Sequence, residues 1–103
     1  MALPALERAR NGWEMQLATN FLGHFALVPG LREHLAAAGD ARVVMVSSGG
    51  HLMAGVDFDD PQFERRPYDP WVAYGQSKTA GGADWAVDEK NADRLWELAE
   101  AAL

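Results

Sequence analysis

Apolar side chains recur at helical spacing in the first third of the chain. Trp13, Leu17 and Phe21 are four residues apart, and the positions beside them are also mostly apolar. A helix whose apolar stripe is this wide packs against other elements over much of its surface. The spacing therefore predicts a largely buried helix over residues 13–28.

Turn-forming residues divide this part of the chain. Asn11-Gly12 is a start signal for the helix, and Pro29-Gly30 interrupts the apolar repeat before residues 31–38 resume it. Gly39-Asp40 then ends the repeat. Because proline disrupts a helix interior and glycine favours helix ends, we expect either one kinked helix or two helices in sequence.

A short apolar run rich in valine follows, Arg42-Val-Val-Met-Val-Ser47. Asp40 precedes it and Gly49-Gly50 follows it, so turn residues bound it on both sides. Continuous β-branched runs of this length are typical of strands covered on both faces. The run predicts a buried parallel strand.

The second half of the chain predicts a long loop followed by two helices. Residues 49–70 are rich in Gly, Pro and Asp and should be mostly irregular. Pro70 suits the first position of a helix that runs to Ala80 and ends at Gly81-Gly82. Asp88 can cap a last helix. The apolar face of that helix would comprise Ala92, Leu95, Trp96, Ala99 and Leu103.

Length and composition narrow the classes of protein. The chain has 103 residues, enough for one domain, and a formal net charge of −6, which disfavours nucleic acid as a partner. It has no cysteine, so disulfides and thiolate sites are excluded and a cytoplasmic location is expected. No run approaches the ~18 apolar residues of a membrane span, so no membrane association is predicted.

The histidines do not predict a metal site. His24, His34 and His51 fall on different predicted elements and have no short ligand spacing. We therefore expect them to be surface or pocket residues.

Tyr74 and Lys78 are the first candidates for chemistry. Residues four apart on a helix lie on one face, so the phenol and the ammonium should be neighbours. A phenol ionises near pH 10, and a nearby cation favours its anion and would make it usable as an acid or base nearer neutral pH. The same spacing is also common by chance on amphipathic helices.

Three further polar residues, a serine pair and an asparagine, are candidates for chemistry. Ser47-Ser48 closes the predicted strand, and ligands bind at the carboxyl ends of strands in open α/β sheets. The alternative is a hydroxyl that only caps a turn. Asn20 lies inside the first predicted helix, beside strongly apolar residues, where a buried amide needs hydrogen-bond partners.

Taken together, these residues resemble the short-chain dehydrogenase/reductase family. Thr19-Asn20-Phe-Leu-Gly-His-Phe25 is similar to the Asn motif of that family's central helix, and Arg42 to Ser48 to the strand that ends in its catalytic serine. Tyr74-Gly-Gln-Ser-Lys78 is similar to its Tyr-x-x-x-Lys motif. The phrase Ser-Ser-Gly-Gly-His51 and the residues after Tyr74 most resemble the retinol-dehydrogenase-like branch.

The resemblance implies a fold and a reaction. The fold class would be α/β, a partial doubly wound Rossmann-type fold with one parallel strand. The reaction would interconvert an alcohol and a carbonyl by hydride transfer with NAD or NADP. Tyr74 would be the general acid/base, and Ser48 would hold the substrate oxygen. Lys78 would assist Tyr74 and bind the nicotinamide ribose with it, and Asn20 would hold a proton-relay water.

The resemblance covers residues 12–80 and implies a truncated, internally deleted family member. No Gly-rich turn for a pyrophosphate is present. We interpret residues 1–103 as one partial domain, with 81–84 as a junction and 85–103 as a C-terminal helical segment. Such a chain alone is expected to lack cofactor binding and activity. A non-catalytic remnant or interaction module is the alternative, and a homo-oligomer stays open.

Overall fold

A computed structural model describes residues 4–82 and 89–103. In this part of the chain the regular elements are helices. Their bounds are α1 (Met15–Leu17), a π-helical turn (Ala18–Leu22), α2 (Gly23–Gly30), α3 (Arg32–Ala37), a 3₁₀ helix (Gly49–Leu52), α4 (Pro70–Ala80) and α5 (Glu89–Ala102).

The first predicted helix is confirmed, but its ends differ from the prediction. It begins at Met15 rather than after Asn11-Gly12, because the side chain of Glu14 caps it. The Glu14 carboxylate accepts hydrogen bonds of 2.8 Å from the backbone N–H groups of Gln16 and Leu17. The break falls at Leu31, and Pro29 lies inside α2. Two helices in sequence therefore form, as one of the two expectations stated.

The predicted parallel strand over residues 42–47 is wrong for the described structure. No β-strand forms among residues 4–82 and 89–103, and this segment has no regular secondary structure. The exposed fractions of residues 43–46 alternate, at 52%, 83%, 51% and 83%, as in an extended chain with one face toward the helices. A strand needs a neighbour to pair its backbone, and the described residues supply none.

The core lies where the first helix meets α4 and α5. The buried apolar side chains of this cluster are Trp13, Leu17, Phe21, Leu22, Ala80, Leu95 and Ala99. The predicted apolar face of the last helix is correct at Leu95 and Ala99, whereas Trp96 and Leu103 are exposed. The predicted cap Asp88 and part of the 81–84 junction fall outside the described residues.

Helix α4 is confirmed with its predicted first residue and end. Pro70 occupies the first turn, and Gly81 follows the last helical residue. The Asp69 carboxylate accepts hydrogen bonds from the N–H groups of Trp71 at 2.9 Å and Val72 at 3.0 Å. This cap fixes where the helix starts and hence which side chains share a face.

The long loop before α4 is mostly irregular, as predicted, apart from the 3₁₀ helix. Its aromatic anchor is Phe63, which is buried and has a φ of 54°. The guanidinium carbon of Arg66 lies 3.8 Å from the centre of the Phe63 ring. An unusual backbone conformation of this kind persists only where surrounding contacts hold it, so this part of the loop has a defined shape.

Candidate active site

Helix α4 presents Tyr74 and Lys78 on one face, as their spacing predicts. The Lys78 Nζ atom lies 5.8 Å from the centre of the Tyr74 ring. Both residues are half-buried, so their polar ends can meet a small molecule at the surface of α4. This placement sets a cation beside the ring of a phenol.

Ser48 and Tyr74 both lie beside Gly50. A methyl group on Gly50 would lie 2.7 Å from Tyr74 Cε1 and 3.4 Å from Ser48 Oγ. Ser48 Oγ accepts a 3.1 Å hydrogen bond from the Gly50 N–H. Because that bond uses a lone pair, the Ser48 hydroxyl proton remains available to a ligand oxygen beside Tyr74.

Asn20 is joined to α4 through a neighbouring serine. It lies in the π-helical turn, a rare geometry that is frequent at functional sites. Its amide Nδ2 donates a 3.0 Å hydrogen bond to Ser77 Oγ, which in turn donates one of 2.7 Å to the carbonyl oxygen of Tyr74. The half-buried Asn20 therefore has the partner that its position demands, and it borders the Tyr74–Lys78 helix.

Two histidine rings hydrogen-bond to backbone carbonyl oxygens at the edge of this site. His24 Nδ1 lies 3.0 Å from the carbonyl oxygen of Asn20, and His51 Nδ1 lies 2.6 Å from that of Ser48. A carbonyl oxygen only accepts, so Nδ1 carries the proton in both rings. The sequence did not predict either contact. The only signal for them is that each histidine lies three or four residues after the residue whose carbonyl it contacts.

The opposite face of α4 binds the preceding loop. Gln76 is fully buried, and its Oε1 accepts hydrogen bonds from Arg66 Nη2 at 2.8 Å and from the Asp57 N–H at 3.1 Å. Its Nε2 donates a 2.8 Å bond to the carbonyl oxygen of Pro61. Thr79 Oγ1 lies 2.9 Å from the carbonyl oxygen of His51. These contacts were not predicted. Those of Gln76 fix the loop between residues 57 and 66 against α4, and that of Thr79 fixes the segment at His51.

Asp60 orders the same loop electrostatically. Burial opposes its ionisation, but the backbone N–H groups of Arg65, Glu64 and Arg66 donate to its carboxylate, and the Arg65 charge adds to them. These groups outweigh burial and lower the pKa of Asp60 to about 2. At neutral pH Asp60 is a fixed anion that closes the turn.

A cavity of about 400 Å³ opens beside the site. Asn20 and Lys78 line it together with Ser47, whereas Ser48 and Tyr74 lie outside its lining. The structure thus brings the predicted site residues into one region, with Asn20 and Lys78 lining the cavity and Ser48 and Tyr74 both beside Gly50.

The described residues contain neither a cluster of metal-binding side chains nor a helix that could span a membrane. No group of three or more His, Cys, Asp or Glu side chains there could hold a metal ion. None of the helices in that same part of the chain has the length and hydropathy needed to cross a bilayer.

The chain is similar to curated oxidoreductases. A probable oxidoreductase from Streptomyces antibioticus is 63% identical over 94 residues, which cover 85% of this chain and 32% of that protein. The short-chain dehydrogenase/reductase prx1 of Penicillium roqueforti is 44% identical over 93 residues, 86% of this chain and 26% of the relative. Mouse retinol dehydrogenase 13 is 40% identical over 70 residues, 68% of this chain and 21% of the relative.

These matches extend across most of the chain and a smaller part of each relative. The chain spans about a third of the length of the Streptomyces antibioticus protein. No protein-family model matches the chain, and no solved structure matches it significantly.

Proposed function

Because this chain belongs to the short-chain dehydrogenase/reductase family, we propose that it carries the catalytic segment of an oxidoreductase that uses NAD or NADP to interconvert an alcohol and a carbonyl. The observation that supports the proposal is that Ser48 and Tyr74 both lie beside Gly50, with the Lys78 ammonium 5.8 Å from the centre of the Tyr74 ring. This arrangement offers a hydrogen-bond donor and a proton-transferring group to the same ligand oxygen.

Each side chain has a distinct task in this mechanism. The Tyr74 hydroxyl gives a proton to a carbonyl oxygen or takes one from an alcohol. The Ser48 hydroxyl donates a hydrogen bond to the same oxygen and stabilises the negative charge that develops there. The Lys78 ammonium, 5.8 Å from the centre of the Tyr74 ring, is the candidate for binding ribose hydroxyls beside Tyr74. Asn20 is the candidate for holding a relay water near Lys78.

A nicotinamide cofactor would supply the hydride exchange. The residues fit its nicotinamide-ribose end, since Tyr74 and Lys78 offer hydroxyl and ammonium groups that can bind ribose hydroxyls. The sequence has no Gly-rich turn to cradle the pyrophosphate, so this chain has the residues for only part of the cofactor. We therefore expect the isolated chain to bind neither NADH nor NADPH measurably.

Exposed apolar residues favour a second candidate, a non-catalytic interaction module. Val44 and Val46 are each 83% exposed, and Leu52 is 82% exposed. Apolar surface of this kind is common where a protein contacts a partner. In this alternative, the site residues are retained from an enzyme ancestor but no longer act on a substrate.

A chimaeric enzyme distinguishes the two candidates. This chain would replace the matching segment of the Streptomyces antibioticus protein, and the product would be assayed for NAD(P)-dependent oxidation of a panel of alcohols. We expect activity in the chimaera, and a loss of roughly 10²–10⁴-fold on Tyr74→Phe, because that substitution removes the proton-transferring hydroxyl. Tyr68→Phe, which removes the hydroxyl of the chain's other tyrosine outside the candidate site, is the matched control.

The isolated chain gives the second arm of the test. Fluorescence titration with NADH and NADPH should reveal no saturable binding. Saturable binding that disappears in Lys78→Ala would contradict the expected incomplete cofactor site. A chimaera that is folded but inactive with every alcohol would refute the catalytic proposal and favour the interaction module.

A further inference from the structure

The cavity beside the site has an extensive aliphatic lining. One wall comes from helices α2 and α3, and the other from the extended segment at residues 43–46. The aliphatic side chains of these walls include Leu27, Val28, Leu31, Leu35, Val43 and Met45. Several of them are half or more exposed, so a ligand with an apolar body would remove their surface from water.

Hydrogen-bonding groups gather at one end of this cavity. His24 Nδ1 lies 3.0 Å from the carbonyl oxygen of Asn20, which also lies within 3.3 Å of the Cβ position of Gly81. Ser47 Oγ lies 3.8 Å from the Cβ position of Gly82. Together with Lys78, these groups form a polar end, while the aliphatic walls extend away from it along α2 and α3.

The charge of the cavity contrasts with that of the chain. The chain carries 15 acidic and 9 basic residues, yet among the described residues no carboxylate lines the cavity, whereas two cations, Lys78 and Arg42, do. Neither cation forms an ion pair with any described residue. Arg42 follows the end of α3 and stands five residues before Ser47 on the extended segment, ~16 Å away at ~3.3 Å per residue.

We propose that this cavity binds an amphipathic monoanion, such as a medium-chain alkyl carboxylate. The carboxylate meets the Lys78 ammonium and the neighbouring Ser47 hydroxyl, and the alkyl chain lies between α2–α3 and residues 43–46. A charge-assisted hydrogen bond at the head and apolar burial along the tail both contribute to affinity. The cavity shares Lys78 with the proposed catalytic arrangement, but binding itself needs neither a nicotinamide nor Tyr74.

Isothermal titration of the isolated chain with octanoate, below its micellar range, tests the proposal. We expect saturable one-to-one binding. Octylammonium and acetate should each bind at least about tenfold more weakly, because one lacks the matching charge and the other the apolar tail. Equal affinity for octanoate and octylammonium, or no saturation with octanoate, would overturn the proposal.

Matched variants locate the two parts of the ligand. Lys78→Gln should weaken octanoate binding by roughly tenfold, whereas Arg42→Gln, at the far end, should weaken it by less than about threefold. Leu31→Ser should weaken binding, while Leu52→Ser, which is exposed outside the cavity, should not. A larger loss of affinity in Arg42→Gln than in Lys78→Gln would overturn the assigned position of the carboxylate. A larger loss in Leu52→Ser than in Leu31→Ser would overturn that of the alkyl chain. Circular dichroism of each variant verifies its helix content.

Discussion

The contact between Gly75 and the 3₁₀ helix offers a direct test of how the candidate site is held together. Gly75 is buried in the middle of α4. A methyl group there would lie 2.8 Å from the carbonyl oxygen of Gly50 and 3.2 Å from the N–H nitrogen of Ala54. Both are backbone atoms, which do not rotate aside as a side chain does. Gly75→Ala therefore has to push the 3₁₀ helix away from α4.

Two opposing effects determine the size of this perturbation. Alanine is favoured over glycine in a helix interior by about 1 kcal/mol. Overpacking a close contact costs about 1–3 kcal/mol. The balance for Gly75→Ala is a net loss of about 1 kcal/mol in the free energy of unfolding. In a domain of this size, that loss lowers the melting temperature by about 4–8 °C.

Gly23→Ala is the matched control, because Gly23 also lies within a continuous helical run. Its added methyl group would meet only the carbonyl oxygen of Ala18, at an ordinary contact distance of 3.5 Å. Thermal unfolding followed by circular dichroism should show a higher melting temperature for Gly23→Ala and a lower one for Gly75→Ala. If both substitutions raised the melting temperature, the close packing of α4 on the Gly50 segment would be refuted.

Three other expectations concern the capping and loop contacts. Glu14→Ala should cost about 2 kcal/mol by chemical denaturation, since it leaves two helical N–H groups without their acceptor; Glu14→Gln, which keeps one acceptor oxygen, should cost less. Asp60 has a folded pKa of about 2, against 3.8 for the free side chain, so its stabilising effect is present above pH 3.8 and is lost as the pH falls toward 2. Asp60→Asn should therefore flatten the stability profile in that acidic range, and an unchanged profile would contradict the bonding described. Burial raises the pKa of Tyr68 and outweighs a hydrogen bond from Gln16 that lowers it, so ultraviolet titration should detect a phenol that ionises above pH 10. Tyr68→Phe should remove this titration. Because the folded pKa is raised, the contribution of the Tyr68 phenol to stability should be lost as the pH rises above 10.

The sequence predicts α4 well because local signals mark both ends. Pro70 suits a first helical turn, and Gly81 ends the helix. The shared face of Tyr74 and Lys78 then follows from helical geometry alone. The predicted start of the first helix is too early, because glutamate is not among the preferred capping residues and Glu14 therefore carries no recognisable signal.

The valine-rich segment illustrates the limit of local reasoning. Val44 and Val46 belong to a run with strong β propensity, and their exposure alternates with that of their neighbours. A strand, however, exists only when its backbone pairs with another chain segment, and pairing is not encoded in the run itself. The hydrogen bonds of Gln76 were unpredictable for a related reason, since their partners lie 10 to 19 residues away along an irregular loop.

The three residues between Tyr74 and Lys78 each contact a different neighbouring segment, so they contribute more than the spacing of the motif. Gly75 admits the Gly50 backbone, which lies beside both Ser48 and Tyr74. The next residue, a glutamine, binds the loop on the opposite face, and the serine after it accepts the amide of Asn20. Each intervening position thus fixes a different neighbour relative to the same helix. A substitution at any of them would leave Tyr74 and Lys78 four residues apart and would still disturb one partner, so the arrangement of the site depends on these residues as directly as on the helix.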